Sequence, residues 1–522
     1  MRPVSFHYVA AAAMLMSAAS ACATDWLQFG MDPQHNGTNT LENGYSTATG
    51  NTLAFPAVSM PSPIDVAPVF AAGVATPSGI KDLLFAMTQA GALLAIDASD
   101  GDILWSRQPS GAGTSTQSSP AIDTSRQYVY AYGLDGNVHK YTIGDGTEPT
   151  SDGWPQLITN KPGLDKVAAG LTIATAPNGH AYLYVVTDSY LDVGDFQGHL
   201  TTIDLGDSSQ TVFNPQCSEL TIHFVANGIT SGGSQDDCTA IPSGRAGQKA
   251  NSGIWGRPGA VFDSATDRVY IATGNGLFDP AGANGNGKYW GDTVLALNPD
   301  GTGAGLGLPL DSYTPQTYAA LLETDADLGS TSPAILPVPA LSLFPHLAMQ
   351  GGKDGCVRLL NLDDLSGTGE AGHAGGELQA VALPGVVDHC GDGGNIGTFK
   401  SQAAVWVNPA DGATWIFEAF SSGFVAYELV FDEAGHPSLS QKWATNDAGT
   451  SPVVANSTVY YVSGGAIRGL DATSGTTVWS TNAIGGIHWQ SPIVVNGRLY
   501  VFDITSKLWV YALDGVFRGS FD

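Results

Sequence analysis

The chain has 522 residues, with 66 Gly, 29 Pro and 48 Asp or Glu against 20 Lys or Arg, for a formal charge of −28. That much Gly and Pro excludes a coiled coil or helical bundle. A hydrophobic content of 43% excludes a disordered chain, and so few cations exclude a nucleic-acid binder. A large, turn-rich, mostly β protein remains, and length alone suggests about three domains. In chain order, the first feature is Arg2, then the apolar run Val9 to Ala19 and the small residues Ser20 to Ala23. Residues 1–21 therefore read as a signal peptide. The apolar run is shorter than the roughly 20 residues of a spanning helix, so no transmembrane segment is expected. Cleavage fits after Ala21 or Ala23. A second reading makes Cys22 the lipid-anchored first residue of a lipoprotein. Either form is exported, as a periplasmic or secreted protein.

From residue 24 onward, internal repetition dominates. Gly91 to Trp105 reads GALLAIDASDGDILW, and Gly465 to Trp479 reads GAIRGLDATSGTTVW. Weaker copies begin at Gly136, Gly198, Asp292, Gly355, Gly423 and Lys507. The shorter spacings match one four-stranded propeller blade. Residues 24–522 are thus predicted to form one all-β, eight-bladed β-propeller instead of three domains. The largest insertion is expected around residues 206–250, which hold Cys217 and Cys238. A second phrase, Ser-Pro followed by a short apolar strand, begins at Ser119, Ser332, Ser451 and Ser491. Asn496-Gly497 supplies a hairpin turn. No stretch shows sustained helical periodicity with caps. In both clean copies a small residue, a Gly and a Trp share one spacing: Ala95, Gly101, Trp105 and Gly469, Gly475, Trp479. The Gly suits a turn that needs φ > 0, and the Trp can lie over a neighbouring blade.

Apart from Cys22, the cysteines number an even four, so two disulfides are expected in an oxidising compartment. Sequence proximity favours Cys217–Cys238 and Cys356–Cys390 over the other pairings. No C-x-x-C-H is present, so no c-type haem is expected. GANGNGKY, from Gly282, lacks the Ser or Thr that a phosphate loop carries after its Lys. His389, Cys390 and Asp392 lie together, as a metal cluster or, the favoured reading, around a disulfide in a Gly-rich loop.

The 11-residue phrase resembles the tryptophan-docking motif of quinoprotein alcohol dehydrogenases, eight-bladed propellers that hold pyrroloquinoline quinone (PQQ). The segment DWLQFGMDPQHNGTN, from Asp25, is similar to the opening strand of PQQ-like repeat proteins, and the resemblance implies a ring closed by an N-terminal strand. SGIWG…ATGN and the Gly-Gly-Lys-Asp-Gly turn look closest to the polyvinyl-alcohol-dehydrogenase-like branch. The resemblance implies roles for particular residues. Trp255 would form the floor beneath the PQQ ring, since a flat cofactor gains from stacking on a large aromatic face. Asn275 would ligate Ca²⁺, which takes neutral and anionic oxygens. Asp192, in YLDVGDFQGHLTTID, would replace the family's Glu ligand, with one residue inserted before Gly198. Asp327, in ETDADLGSTSP, would be a metal ligand and the general base, with Asp325 in reserve. Lys353 would contact the quinone oxygens. Ca²⁺ would polarise the quinone, and the cofactor would carry the redox change. The substrate would be a small or polymeric alcohol, and electrons would leave to an external acceptor such as a cytochrome c. The chain departs from the family in having no adjacent Cys pair, and residues 110–120 hold no Cys. The repeat is also shared by non-catalytic scaffolds such as the outer-membrane assembly lipoprotein BamB. A binding or envelope scaffold is therefore a second reading, and a lyase or hydrolase using the same pore a third.

Overall fold

The computed structural model describes residues 24–513 except 43–50, 193, 195, 220–250, 283–287, 341, 387–388, 393, 395–399 and 483. Eight antiparallel sheets follow one another along the chain. Their first strands are Val69–Thr76, Ala121–Ile122, Thr172–Thr175, Val261–Asp263, Ala334–Leu336, Ala404–Val407, Val453–Ala455 and Ile493–Val495. First strands of adjacent blades touch, as Ala404–Val407 does with Ala334–Leu336 and Val453–Ala455, which places them at the axis. The eighth blade takes its outer strand from the other end of the chain: Asn51–Leu53 pairs antiparallel with Lys507–Leu513 and closes the ring. Middle strands such as Leu93–Asp97 and Thr414–Phe420 are buried along their whole length, because a neighbouring blade covers each face. That double burial explains the low charge content.

The recurring Gly and Trp work across blade borders. Trp105 in the outer strand of blade one donates its indole N–H to Ile143 O of blade two (3.2 Å). Trp443 of blade six donates to Ala472 O of blade seven (3.0 Å). Each indole lies against a turn Gly of the next blade, Gly146 and Gly475 respectively. Gly475 has φ +69°, and a Cβ there would come within 2.6 Å of the Trp443 ring. Gly475→Ala is therefore expected to cost about 2–4 kcal/mol, backbone strain plus overpacking. Gly412, also at positive φ (+76°) but with nothing near its Cβ position, should cost only about 1 kcal/mol when changed to Ala. Denaturant midpoints of the two variants measure the difference, and equal midpoints would contradict the docking role.

The segment Trp26 to Asn39 makes one circuit of the channel, bonding the second residue of seven first strands in ring order. Trp26 pairs with Phe70. Leu27 O accepts from Ile122 N (2.7 Å) and Gln28 Oε1 from Ile173 N (2.8 Å). Pro33 O accepts from Phe262 N (2.9 Å), Asn36 O from Val405 N (2.8 Å) and Gly37 O from Val454 N (2.7 Å). Asn39 Nδ2 donates to Val494 O (2.9 Å). This strap lines the channel at the level where the first strands begin.

Three connections bear on the site or its reading. A seven-residue helix, Tyr318–Thr324, lies between blades four and five. The Cys356–Cys390 disulfide is formed, with Cα atoms 5.1 Å apart, which removes Cys390 from any metal cluster with His389 and Asp392. Cys217 is also disulfide-bonded, to a partner outside the described residues. Within 206–250, Gln210–Phe213 is the outer strand of blade three; residues 220–250 lie outside the described residues, as do residues 1–23 with the expected signal peptide and Cys22. Among the described residues no helix is long and apolar enough to cross a membrane.

Candidate functional site

Two connections per blade face the same side of the ring: the one entering the first strand, and the turn between the second and third strands. The residues four places before the first strands are Asp65, Gln117, Ala168, Arg257, Ser330, Lys400, Gly449 and Trp489. Several meet across the channel. Arg257 donates to Ala168 O (2.8 Å) and Gln117 O (3.1 Å), and lies 5.3 Å from the Trp489 ring centre. Trp489 N donates to Asp65 Oδ1 (2.8 Å). All six residues singled out in the sequence fall in these connections of blades three to five. Asp192, Asn275 and Lys353 lie in the second turns. Trp255, Asp325 and Asp327 lie in the segments entering blades four and five.

Lys353 is the centre of this group. Its ammonium pairs with Asp325 Oδ1 (3.2 Å) and, more closely, with Asp327 Oδ2. It also lies 5.2 Å from the centre of the Trp255 ring. Burial opposes its charge, but Asp327 and Asp325 outweigh burial and hold the ammonium well above the usual lysine range. Asp327 Oδ1 accepts from Asn275 N (2.7 Å). Gly274 permits that approach, since a Cβ there would lie 2.7 Å from Asp327 Oδ1. The helix ends at Asp325, whose φ of +60° turns the chain so that Asp325 and Asp327 both reach Lys353. Asp192 sits behind them, its Oδ1 accepting from Ser189 Oγ (2.9 Å). Burial and the Asp327 charge raise its carboxyl above the usual range. Leu191 and Asp192 have φ of +61° and +53°, a backbone cost borne at the site.

Asn275 has a fixed orientation. Its Nδ2 donates to Asp292 (3.1 and 3.3 Å) and to Leu321 O (3.1 Å). With the amide nitrogen facing oxygens, Oδ1 is the atom left for a cation. Sequence reasoning missed Asp292, a buried carboxyl that burial and then Asp327 push up to about 8. It also missed Asp188, which burial pushes up to about 7, with Asp192 and Asp327 adding to the effect. Gly253 of the SGIWG phrase exists for Asp188: a Cβ there would lie 2.3 Å from its Oδ1. Arg257 and Lys400 were missed as well, whereas Trp489, in GGIHWQSP, is expected at a blade edge or the pore and lines the channel. The position of the two cations four residues before a first strand was the signal that could have found them.

Two carboxyls thus pair with Lys353, and Asp188, Asp192 and Asp292 lie close enough that several raise one another, Lys166 opposing the effect at Asp188. Among the described residues no three His, Cys, Asp or Glu side chains form a metal-holding group by themselves; the Asn275 oxygen therefore matters to any cation site. Around the channel, Gln117 Oε1, Ser118 Oγ, Arg257 Nε, Ser330 Oγ, Thr450 Oγ1 and Ser491 Oγ are buried without a partner among the described residues. Buried polar atoms normally have one. A stacking face, a charged donor, an acid excess and this polar layer fit a flat polar ring carried with a cation.

Glu418 lies beneath this layer, fully buried. Ser401 Oγ contacts both a Glu418 carboxyl oxygen and Ala419 O. The Ser401 hydroxyl and the Ala419 N–H bond the carboxyl and favour its charged form, but burial outweighs them and raises it well above the usual range. The folded state then holds a proton that the unfolded state releases above the ordinary glutamate range, so stability falls as pH rises from there. Glu418→Gln should remove this loss, with its stability advantage over the parent protein growing from pH 5 to pH 8 in denaturant titrations. A pH-independent difference would mean that Glu418 is ionised.

Residues 44–210 match the family model described as outer membrane protein assembly factor BamB, a PQQ-like repeat family. No curated protein sequence gave a match. Among solved structures, the chain is similar to a quinohemoprotein alcohol dehydrogenase from Pseudomonas putida HK5, at 14% identity and a TM-score of 0.64, covering 95% of this chain and 81% of that one. It is similar to a europium-containing methanol dehydrogenase at 13% identity and 0.62, covering 94% and 98%. It is also similar to the quinohemoprotein alcohol dehydrogenase of Comamonas testosteroni at 13% and 0.61, covering 97% and 83%. At these identities the likeness is one of fold.

Proposed function

We propose that this β-propeller is an exported quinoprotein of the PQQ-like repeat family that oxidises an alcohol with PQQ and Ca²⁺ and passes the electrons to a separate acceptor such as a cytochrome c. The observation that carries this reading is the Lys353–Asp327 pair against the face of Trp255, with Asn275 bonded to the same Asp327. Trp255 and Lys353 would hold the ring, and Asp192, Asn275 and Asp327 the cation. Bound PQQ and Ca²⁺ supply a two-electron acceptor for hydride and the positive charge that activates it.

The chain's own residues have distinct tasks. Asp327 is the general base, taking the alcohol proton at Oδ2, while the Asn275 N–H fixes Oδ1. Lys353 is shared between Asp325 and Asp327; it keeps its proton and donates to the oxygen on which charge develops. Asp325 retains Lys353 when Asp327 is engaged with substrate. Asp292 holds the Asn275 amide so that its oxygen is presented. The strap lines the channel beneath these residues, and substrate would enter from the face that carries them. Calorimetry of the apo-protein with PQQ and Ca²⁺ tests the reading. Saturable binding at tens of micromolar cofactor is expected. No binding would overturn it and favour the scaffold reading, which the match over residues 44–210 supports.

A further inference from the structure

Over blades six to eight the channel opens into a cavity of about 280 Å³, lined by Arg257, Lys400, Ser401, Thr450, His488 and Trp489 among others. Its charge is the reverse of the acidic cluster beside it. Arg257 is 2% exposed, its terminal nitrogens bond only backbone carbonyls, and its Nε has no partner among the described residues. Asp65 is the carboxylate whose charge acts on it. The Asp65 oxygens, however, are taken by His488 Nδ1 (2.7 Å), Trp489 N (2.8 Å) and Gln89 Nε2 (3.1 Å). Lys400 likewise has no ion pair among the described residues, whereas Lys353 has two. Glu418, beside Ser401 of this wall, is fully buried, and burial raises its carboxyl well above the usual range. Two cations, an orphan Thr450 hydroxyl and a flat Trp489 face therefore border one cavity; Asp65 acts on Arg257, and Asp325 and Asp327 on Lys400, only from a distance, and among the described residues no carboxylate forms an ion pair with either. An uncompensated buried charge is costly, and a guanidinium beside an ammonium matches a carboxylate.

We propose that this cavity binds a small carboxylate-bearing ligand, its acid group held by Arg257 and Lys400 and its body against Trp489. The proposal stands without the cofactor reading and is tested on the full-length apo-protein. The probe is phthalate, a planar aromatic diacid, against 1,2-benzenedimethanol, its neutral counterpart of similar shape. In calorimetry and tryptophan fluorescence, phthalate is expected to bind saturably and the diol not. Lys400→Gln, at an exposed position, and Arg257→Lys should each weaken phthalate by at least about tenfold, the scale of one charge-assisted contact. Lys400→Gln alone decides should Arg257→Lys fail to fold. Equal binding of the diol, affinity unchanged by Lys400→Gln, or no phthalate binding at millimolar concentration would each overturn the proposal. Addition of PQQ identifies the source of the acid group. Displacement of phthalate assigns the cavity to carboxylates of the cofactor itself, and simultaneous binding to an acid substrate or effector. Both outcomes uphold an oxyanion site.

Discussion

Asp327→Asn is expected to lower dye-linked alcohol oxidation by about 10³-fold while leaving PQQ bound. Loss of a positioned general base costs 10²–10⁴-fold; Asn also gives up the ion pair with Lys353 but keeps the shape and the hydrogen bond to Asn275. Its amide oxygen still accepts from Asn275 N, and Gly274 still leaves it room. Lys353 keeps Asp325 at 3.2 Å, so its charge and its position near Trp255 persist. The effect should therefore appear in kcat, with cofactor affinity little changed. Asp325→Asn is the companion variant: it loosens Lys353 but removes no base, so a fall of only a few-fold is expected. If Asp325→Asn gives the large loss and Asp327→Asn does not, the base role passes to Asp325. Full activity in both variants would reject a carboxylate base at this end of the channel.

The ring and the position of the site were legible for one reason. A propeller turns sequence spacing into angle, so residues in equivalent connections of successive blades come together. Trp255, Asn275, Asp327 and Lys353 belong to phrases placed in blades four and five by their distance from a first strand, and their convergence follows from that placement. Asp188 and Asp292 were not legible. In a chain with 48 acidic residues nothing local marks them. What marks them is burial, and burial is decided by Gly253 and by the Leu328 and Asn275 contacts, far along the sequence. The helix Tyr318–Thr324 escaped because seven residues hold too little periodicity and its N-terminus has no side-chain cap. Arg257 stands two residues beyond Trp255 within the same phrase. Its importance lies in the partners its charge lacks, which only the three-dimensional arrangement reveals. The opening segment resembles an entry strand, and the ring is expected to close on an N-terminal strand. In the structure closure belongs to Asn51–Leu53, and Trp26 to Asn39 has the separate task of circling the channel. Bonds to seven strands up to hundreds of residues away leave no repeat in the sequence.

That circuit makes the strap the element whose removal should be felt most in stability. Deleting residues 24–42 would remove the partners of seven first strands, each hydrogen bond worth about 1 kcal/mol. It would also remove the buried Trp26 and Phe29 side chains, each worth about 3–5 kcal/mol. The sum, on the order of 13–17 kcal/mol, reaches the whole stability of an ordinary folded chain, so the truncated protein is expected not to form a cooperatively folded ring. Trp26→Ala provides the graded test. It should cost about 3–5 kcal/mol. With an unfolding entropy of roughly 2 cal/mol/K per residue, that is only about 3–5 °C in a chain of this size. Chemical denaturation is therefore the better measurement. The midpoint should fall with an unchanged slope, because the ring still unfolds as one unit. A truncated protein with the parent's midpoint would show that the ring stands on its blades alone, and that the strap only lines the channel.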